Sequence, residues 1–288
     1  MVAVTLDAFM DYPCPRVGVT ITGLGTGTSV VSVWRISEGK RNEVPGFRRV
    51  LMTDADYVVD FFAPLGVPVK YEVEVMAGPS GAARVTSAPT VLGDPDSPVG
   101  YIMDALVPQT AIPLVGRRDG QHLTLTAASL SELESAADVS MYDIVGSNEP
   151  MALFSQRMAE RGVPFQLAAR SAEQNAQLKN LLASTANLHF RPAPAWEDPG
   201  IDPQVFISTP RVRKTPVTRG WGDRLAWWDL NFDVVRAPAV RVMTATFTYG
   251  DVAIMFSTYQ DKLDAVIAAA AAAGEAPTYL FDLKKPLG

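Results

Sequence analysis

Few side chains in this chain can do acid–base, nucleophilic or metal chemistry, and their spacing points to no reaction. The two histidines, His122 and His189, fall in different predicted strands. Metal sites draw three or four convergent ligands at short spacings, which this pair does not supply. The single cysteine, Cys14, sits between Pro13 and Pro15 and reads as a small apolar residue in an extended stretch. Asp94 and Asp96 lack the further oxygen ligands of a calcium loop. The glycines of Gly23-Leu24-Gly25-Thr26-Gly27 are spaced G-x-G-x-G, and β-branched residues follow them, so a phosphate-binding loop is not expected. Nucleophile-elbow, zincin and P-loop signatures do not occur. Two chemistries stay open, because their members meet only in space: a Ser-His-Asp or Cys-His grouping, and a carboxylate pair for glycoside cleavage. No cofactor or metal is expected.

Aromatic residues offer a different chemistry, stacking and burial. Three of the five tryptophans, Trp221, Trp227 and Trp228, lie between Gly220 and Pro238. From Trp228 the pattern alternates, with Trp228, Leu230, Phe232 and Val234 on one side and Asp229, Asn231 and Asp233 on the other. That period of two predicts a half-buried strand, stopped by Pro238, and the strand is expected to close a β-domain. Adjacent Trp227 and Trp228 then point to opposite faces, one into a core and one outward to a partner. Core plus subunit contact is the first reading, since tryptophan is enriched at interface hot spots, and a sugar-stacking platform is the functional rival.

The elements that must hold these residues are mostly strands. With 48% apolar and 19% charged residues the chain can bury a core, and its 288 residues suffice for two domains. A net charge of −6 argues against nucleic acid as a partner. The basic run Arg211-Val212-Arg213-Lys214 is expected to be a solvated loop. One cysteine permits no intramolecular disulfide and fits synthesis in a cytoplasm. The first residues lack the basic and apolar regions of a signal peptide. The alanine-rich uncharged run Ala265–Gly274 falls short of the roughly 20 apolar residues of a membrane span.

Residues 1–92 read as a small β-sandwich of immunoglobulin or fibronectin type. Val17–Thr22 and Ser29–Ile36 are expected to form a hairpin around the Gly23–Gly27 turn, with further strands at Tyr57–Phe62 and Val67–Met76. Tyr71 is read either as a tyrosine corner or as an inward aromatic. Residues 93–240 are expected to form a second, larger β-domain. Here Ala111–Val115 and His122–Thr126 flank an Asp-Gly turn and predict a hairpin, and Pro150–Gln156 is paired with Val163–Arg170. A short helix is expected at Ser129–Glu134. The firmest helix starts at Ser171, which forms a capping box with Gln174, and runs to Asn187 with Ala172, Leu178, Leu181 and Leu182 inward. Leu188–Arg191 and Val205–Ser208 follow as strands. Residues 241–288 are expected to form a helical C-terminal arm opened by a T-Y-x-D unit at Thr248 and again at Thr258.

Four segments stand out in order along the chain: Asp60–Tyr71 (DFFAPLGVPVKY), Leu178–Pro192 (LKNLLASTANLHFRP), Trp228–Pro238 (WDLNFDVVRAP) and the T-Y-x-D repeat. Together they resemble the minor tail proteins of long-tailed bacteriophages, especially those of actinobacteria. The chain departs from that pattern at Asn231, where the family has Pro, at Ala237, which intervenes before Pro238, and in using Tyr in the repeat. The resemblance implies a mainly β protein with minor α. It would comprise a fibronectin-III-like sandwich, a tail-tube or distal-tail-like β-barrel and the helical arm. It also implies a non-enzymatic structural part of the virion tail tip or baseplate, made in the host cytoplasm. Its partners would be copies of itself in a ring and other tail proteins: tube, tape measure and other minor tail proteins. The expected assembly residues are Trp227, Trp228, Tyr249, Phe256 and Tyr259. The alternatives are a carbohydrate-binding module for host-surface glycan and a glycan-cleaving tail enzyme.

Overall fold

A computed structural model of the chain describes residues 2–11, 13–135, 137, 139–142, 151–154, 159–196, 200–217 and 225–238. The fold is mainly β, with one α-helix among the described residues. It divides into two compact units, one ending at Gly93 and the other spanning Asp94–Pro238. The expected C-terminal arm, with Tyr249, Phe256 and Tyr259, lies outside the described residues, as does Trp221.

In the first unit β1 (Ala3–Phe9), β2 (Arg16–Thr22) and β6 (Asp56–Asp60) form one antiparallel sheet with β2 in the middle. A second sheet runs β4 (Lys40–Glu43), β3 (Thr28–Ser37), β7 (Pro68–Ala77), β8 (Ala83–Thr86), with β5 (Val50–Thr53) on β3 and β9 (Thr90–Val91) on β7. The hairpin expected between Val17–Thr22 and the Ser29 run therefore does not form. Every residue from Arg16 to Ile21 is buried, so β2 needs a strand on each edge. Gly23, Gly25 and Gly27, at φ 75°, 84° and 135°, carry the chain to the other sheet instead of folding it back. In β7, Val69, Tyr71, Val73 and Val75 are buried on one face; on the other Lys70 is exposed and Glu74 half-buried, while Glu72 is covered.

Gly18 shows how tightly β2 is covered. A Cβ there would lie 2.1 Å from the Tyr57 hydroxyl oxygen. That hydroxyl is buried and has no hydrogen-bond partner among the described residues. Gly18→Ala is thus expected to destabilise the first unit by about 1–3 kcal/mol through overpacking. Tyr57→Phe, which removes an unsatisfied oxygen, should leave stability unchanged or higher and should recover part of the Gly18→Ala loss. Urea unfolding of both single variants and the double variant checks this; additive losses would mean the phenol moves away from Gly18.

Beneath β3, β6 and β7 lies a buried polar triad that the sequence did not announce. Arg35 Nη1 contacts Asp60 Oδ2 at 2.5 Å, and the Tyr71 hydroxyl donates to the same oxygen at 2.8 Å. The Phe62 N–H donates to Asp60 Oδ1 at 2.9 Å. Tyr71 is not a tyrosine corner: its hydroxyl meets a carboxylate rather than a loop carbonyl, because Asp60 ends β6 directly across the core.

The second unit is a closed barrel in the order β10 (Val99–Asp104), β11 (Ile112–Val115), β12 (Leu123–Leu125), β15 (Val163–Ala169), β18 (Ala226–Val235), β17 (Val205–Pro216), β16 (Asn187–Arg191). Strand β16 pairs with β10 and completes the ring. Ile102, Leu123, Leu167, Leu188, Ile207, Leu230 and Phe232 fill the core. Phe165 meets Phe190 and Phe232 edge-on, with ring centres 5.1 and 5.5 Å apart.

Several local expectations give way here. The Asp-Gly segment does not make a hairpin, since β11 and β12 run parallel, Leu114 beside Leu123 and Val115 beside Thr124. The ladder is so short that residues 116–122 can double back along it. Asp119 Oδ1 shapes that return by accepting the N–H groups of Gln121 and His122, both at 2.9 Å. Met151–Phe154 (β14) pairs with Val139–Tyr142 (β13), not with β15, whose edges are taken by β12 and β18. No helix forms at Ser129–Glu134. Leu130 adopts φ 57°, and its N–H bonds Pro164 O at 2.8 Å, so the segment edges β15 instead. The basic run is strand rather than loop: β17 continues through Pro216 because β18 is long enough to pair with it.

Helix α1 (Ala172–Ser184) starts as the sequence dictates. The Gln174 N–H bonds Ser171 Oγ at 3.0 Å, and the Ser171 N–H bonds Gln174 Oε1 at 3.3 Å. It stops at Thr185, short of Asn187, which begins β16. Its inner face carries Leu178 and Leu181 with Gln174 and Asn175, while Ala172 is exposed. Both amides are tolerated inside because their hydrogen bonds are made: Gln174 Nε2 to Gln121 O at 3.0 Å, and Asn175 Nδ2 to Ser171 O at 2.9 Å.

Candidate interaction surface

Strand β18 pairs with β15 on one side and β17 on the other, and this fixes which tryptophan is which. Trp228 faces the core at 6% exposure, and its indole N–H donates to Asn175 Oδ1 at 3.0 Å. Trp227 faces outward at 42% exposure, beside Thr215 of β17 and Ala168 of β15. Of the two tryptophans expected at an interface, only Trp227 offers surface; Trp228 is committed to the barrel core.

Around Trp227 the outer face is polar. Thr126 Oγ1 donates to Gln166 Oε1 at 2.9 Å, and Gln166 Nε2 donates to Asp229 Oδ1. Arg213 lies across from Asp229, and Arg211 across from Asn231. A single half-buried ring in a hydrogen-bonded polar row could stack on an apolar or sugar surface, but it presents no reacting group.

The β13–β14 hairpin is more unusual. Met141, Tyr142, Met151 and Leu153 are 69%, 54%, 49% and 50% exposed. Tyr142 and Met151 are directly paired, and Ser140 pairs with Leu153, so Tyr142, Met151 and Leu153 share one face and Met141 occupies the other. A two-stranded ribbon with apolar residues open on both faces is marginal in water by itself. Sequence reading placed a strand at Pro150–Gln156 but not its partner Val139–Tyr142, because a four-residue strand carries too little alternation to register.

The titratable groups singled out by type are held in structural roles. His189 is fully buried, its Nε2 3.2 Å from Gln204 Oε1 and its ring 4.7 Å from Phe206. Cys14 is buried. Asp94 Oδ1 accepts the Asp96 N–H at 3.0 Å and so closes a turn. Glu72 and Glu74 share one face of β7, bound by Arg41 and Arg84, with Arg41 stacked 3.8 Å over Trp34. Among the described residues, no three His, Cys, Asp or Glu side chains converge as a metal site requires.

The His122 ring contacts Asp119 Oδ2 on the surface. That contact, with the backbone N–H groups of His122 and Gln121, holds the Asp119 carboxyl down to about 2. The folded value lies below the unfolded one. The turn's extra stability is therefore complete above the ordinary carboxylate range and fades as pH falls from about 4 towards 2. Exposure of this pair keeps the effect on global stability small. An NMR titration is expected to place Asp119 near 2; an ordinary carboxylate value would mean the turn is open in solution.

Comparison with protein-family models and with curated proteins finds no match for this chain.

Proposed function

We propose that the chain is a structural, non-enzymatic component of a bacteriophage tail tip or baseplate, assembling through its surfaces with copies of itself and with other tail proteins. On this reading the first unit is a fibronectin-III-like sandwich and the second a tail-tube or distal-tail-like barrel. The tube, the tape measure and other minor tail proteins are its neighbours in the virion. The observation that carries the assembly claim is the β13–β14 hairpin, whose apolar side chains are open on both faces and need a second surface to cover them. Exposed Trp227 supports it as an aromatic anchor. The resemblance described above supplies the virion context; three of its four segments fall on β6 with the loop into β7, on α1 running into β16, and on β18.

The test is sedimentation of the purified chain against Met141→Ser/Leu153→Ser/Trp227→Ala. The unaltered chain is expected to form closed oligomers burying about 800 Å² per partner at each contact. The variant is expected to be monomeric and still folded, its unfolding midpoint lowered only by the lost subunit contact, because all three positions are exposed. A monomeric unaltered chain, or a variant that assembles normally, would overturn the assembly role. The second reading, a host-glycan module, is favoured only by Trp227 in its polar row. It predicts glycan-array binding by the monomer that disappears with Trp227→Ala.

A further inference from the structure

Strand β17 is paired on both edges only in its first part. Asn187–Phe190 of β16 matches Val205–Ser208, and the Thr209 N–H reaches Ala186 O at 2.9 Å. There the chain turns away into α1, and the register against β18 shifts between Ser208 and Arg211. From Arg211 to Pro216, β17 keeps β18 on one side, and among the described residues no strand lies on the other.

The hydrogen-bond phase shows which groups that open edge presents. The Val217 N–H bonds Leu225 O at 3.0 Å, so the pairs 215/227 and 213/229 are the ones that exchange bonds with β18. The alternate residues, Val212 and Lys214, direct their N–H and C=O groups outward. Pro216 offers a C=O and no donor. Pro210 and Pro216 bracket the edge, limiting it to a short ladder that an indefinitely stacking strand could not use.

Charge selects the occupant. Arg211, Arg213 and Lys214 are all exposed along this edge, and only Asp229 lies directly across from one of them. A chain of net charge −6 concentrates three cations in four residues at an open ladder. Among the described residues, the edge strands of a second copy do not match it. β1 carries a single acid, Asp7; β4 and β8 are net basic; β6 has Asp56, but its Asp60 is committed to Arg35. The geometry points to strand addition by a different chain: an extended acidic segment paired along Val212–Pro216, its carboxylates beside Arg211 and Arg213 on the face these share with Asp229, and its alternate residues on the side of Val212 and Lys214. Nothing in this requires that the partner be a tail protein.

The experiment is an amide NMR titration of the full chain with a blocked heptapeptide of alternating Glu and Val. Two controls are a Lys/Val peptide and the Glu/Val peptide N-methylated at alternate residues. The acidic peptide is expected to shift the Val212 and Lys214 amides and to bind about tenfold more tightly than the basic one. N-methylation should abolish the effect, and raising salt from about 50 to about 500 mM should weaken it severalfold. Arg213→Glu should narrow or reverse the preference, with folding checked by its unfolding midpoint since Arg213 lies across from Asp229. Equal binding of the N-methylated peptide would reduce the site to charge attraction, and equal binding of the basic peptide would remove the selectivity. No binding of the acidic peptide, or shifts confined to other amides, would overturn the proposal outright.

Discussion

Asp60→Asn is expected to destabilise the first unit by about 3–5 kcal/mol, the cost of leaving a buried charge without its counter-ion. Asp60 and Arg35 are 0% and 1% exposed, so no water can replace the lost partner. Burial disfavours the Arg35 cation, but the adjacent Asp60 and Tyr71 outweigh it, and the guanidinium is held more firmly protonated than usual. Burial, followed by the charge on Asp60, likewise raises the Tyr71 phenol well above its ordinary value, so it remains a donor. One carboxylate thus anchors β3, β7 and the Phe62 backbone at once. Urea unfolding read by hydrogen exchange in each unit separately should show the loss confined to the first. Arg35→Met/Asp60→Leu/Tyr71→Phe, which removes all three polar partners together, is expected to recover most of the stability. A loss under about 1 kcal/mol for Asp60→Asn would mean that water reaches the triad.

Trp228→Ala is expected to be comparably severe in the second unit, about 3–5 kcal/mol, from lost burial and the cavity left behind. It also takes the indole donor from Asn175 and the ring from beneath Lys214. Trp228→Phe keeps most of the apolar volume and should cost about 1–3 kcal/mol, chiefly for the buried hydrogen bond lost between the indole N–H and Asn175 Oδ1. Trp227→Ala, one residue away, should lie within about 0.5 kcal/mol of the unaltered chain. Chemical denaturation of the three variants gives the comparison; equal losses at 227 and 228 would contradict the assigned faces.

The contrast between these neighbours marks where sequence reading stops. Alternation from Trp228 to Val234 requires two faces, and the structure has them. Nothing local said that β15 and β17 would flank β18, nor that β17 would extend through the basic run. Arg35 is buried in β3, but its partner Asp60 is 25 residues away, and the pairing needed two sheets to meet. The Asp-Gly turn was legible as a turn. Its outcome, a parallel neighbour rather than a hairpin, depended on which strand edge was already occupied.

By itself, the sequence determined those features whose cause lies within one turn or one strand: the Ser171–Gln174 box and the period of two in β7 and β18. Their energies come from neighbours a few residues apart, so the local order of residue types suffices. Only the tertiary structure decided strand partners, the parallel β11–β12 contact, the buried triad and the open edge of β17. Backbone hydrogen bonds between strands are alike for every residue, so pairing is chosen by the burial of whole faces, and that is settled only when the barrel closes.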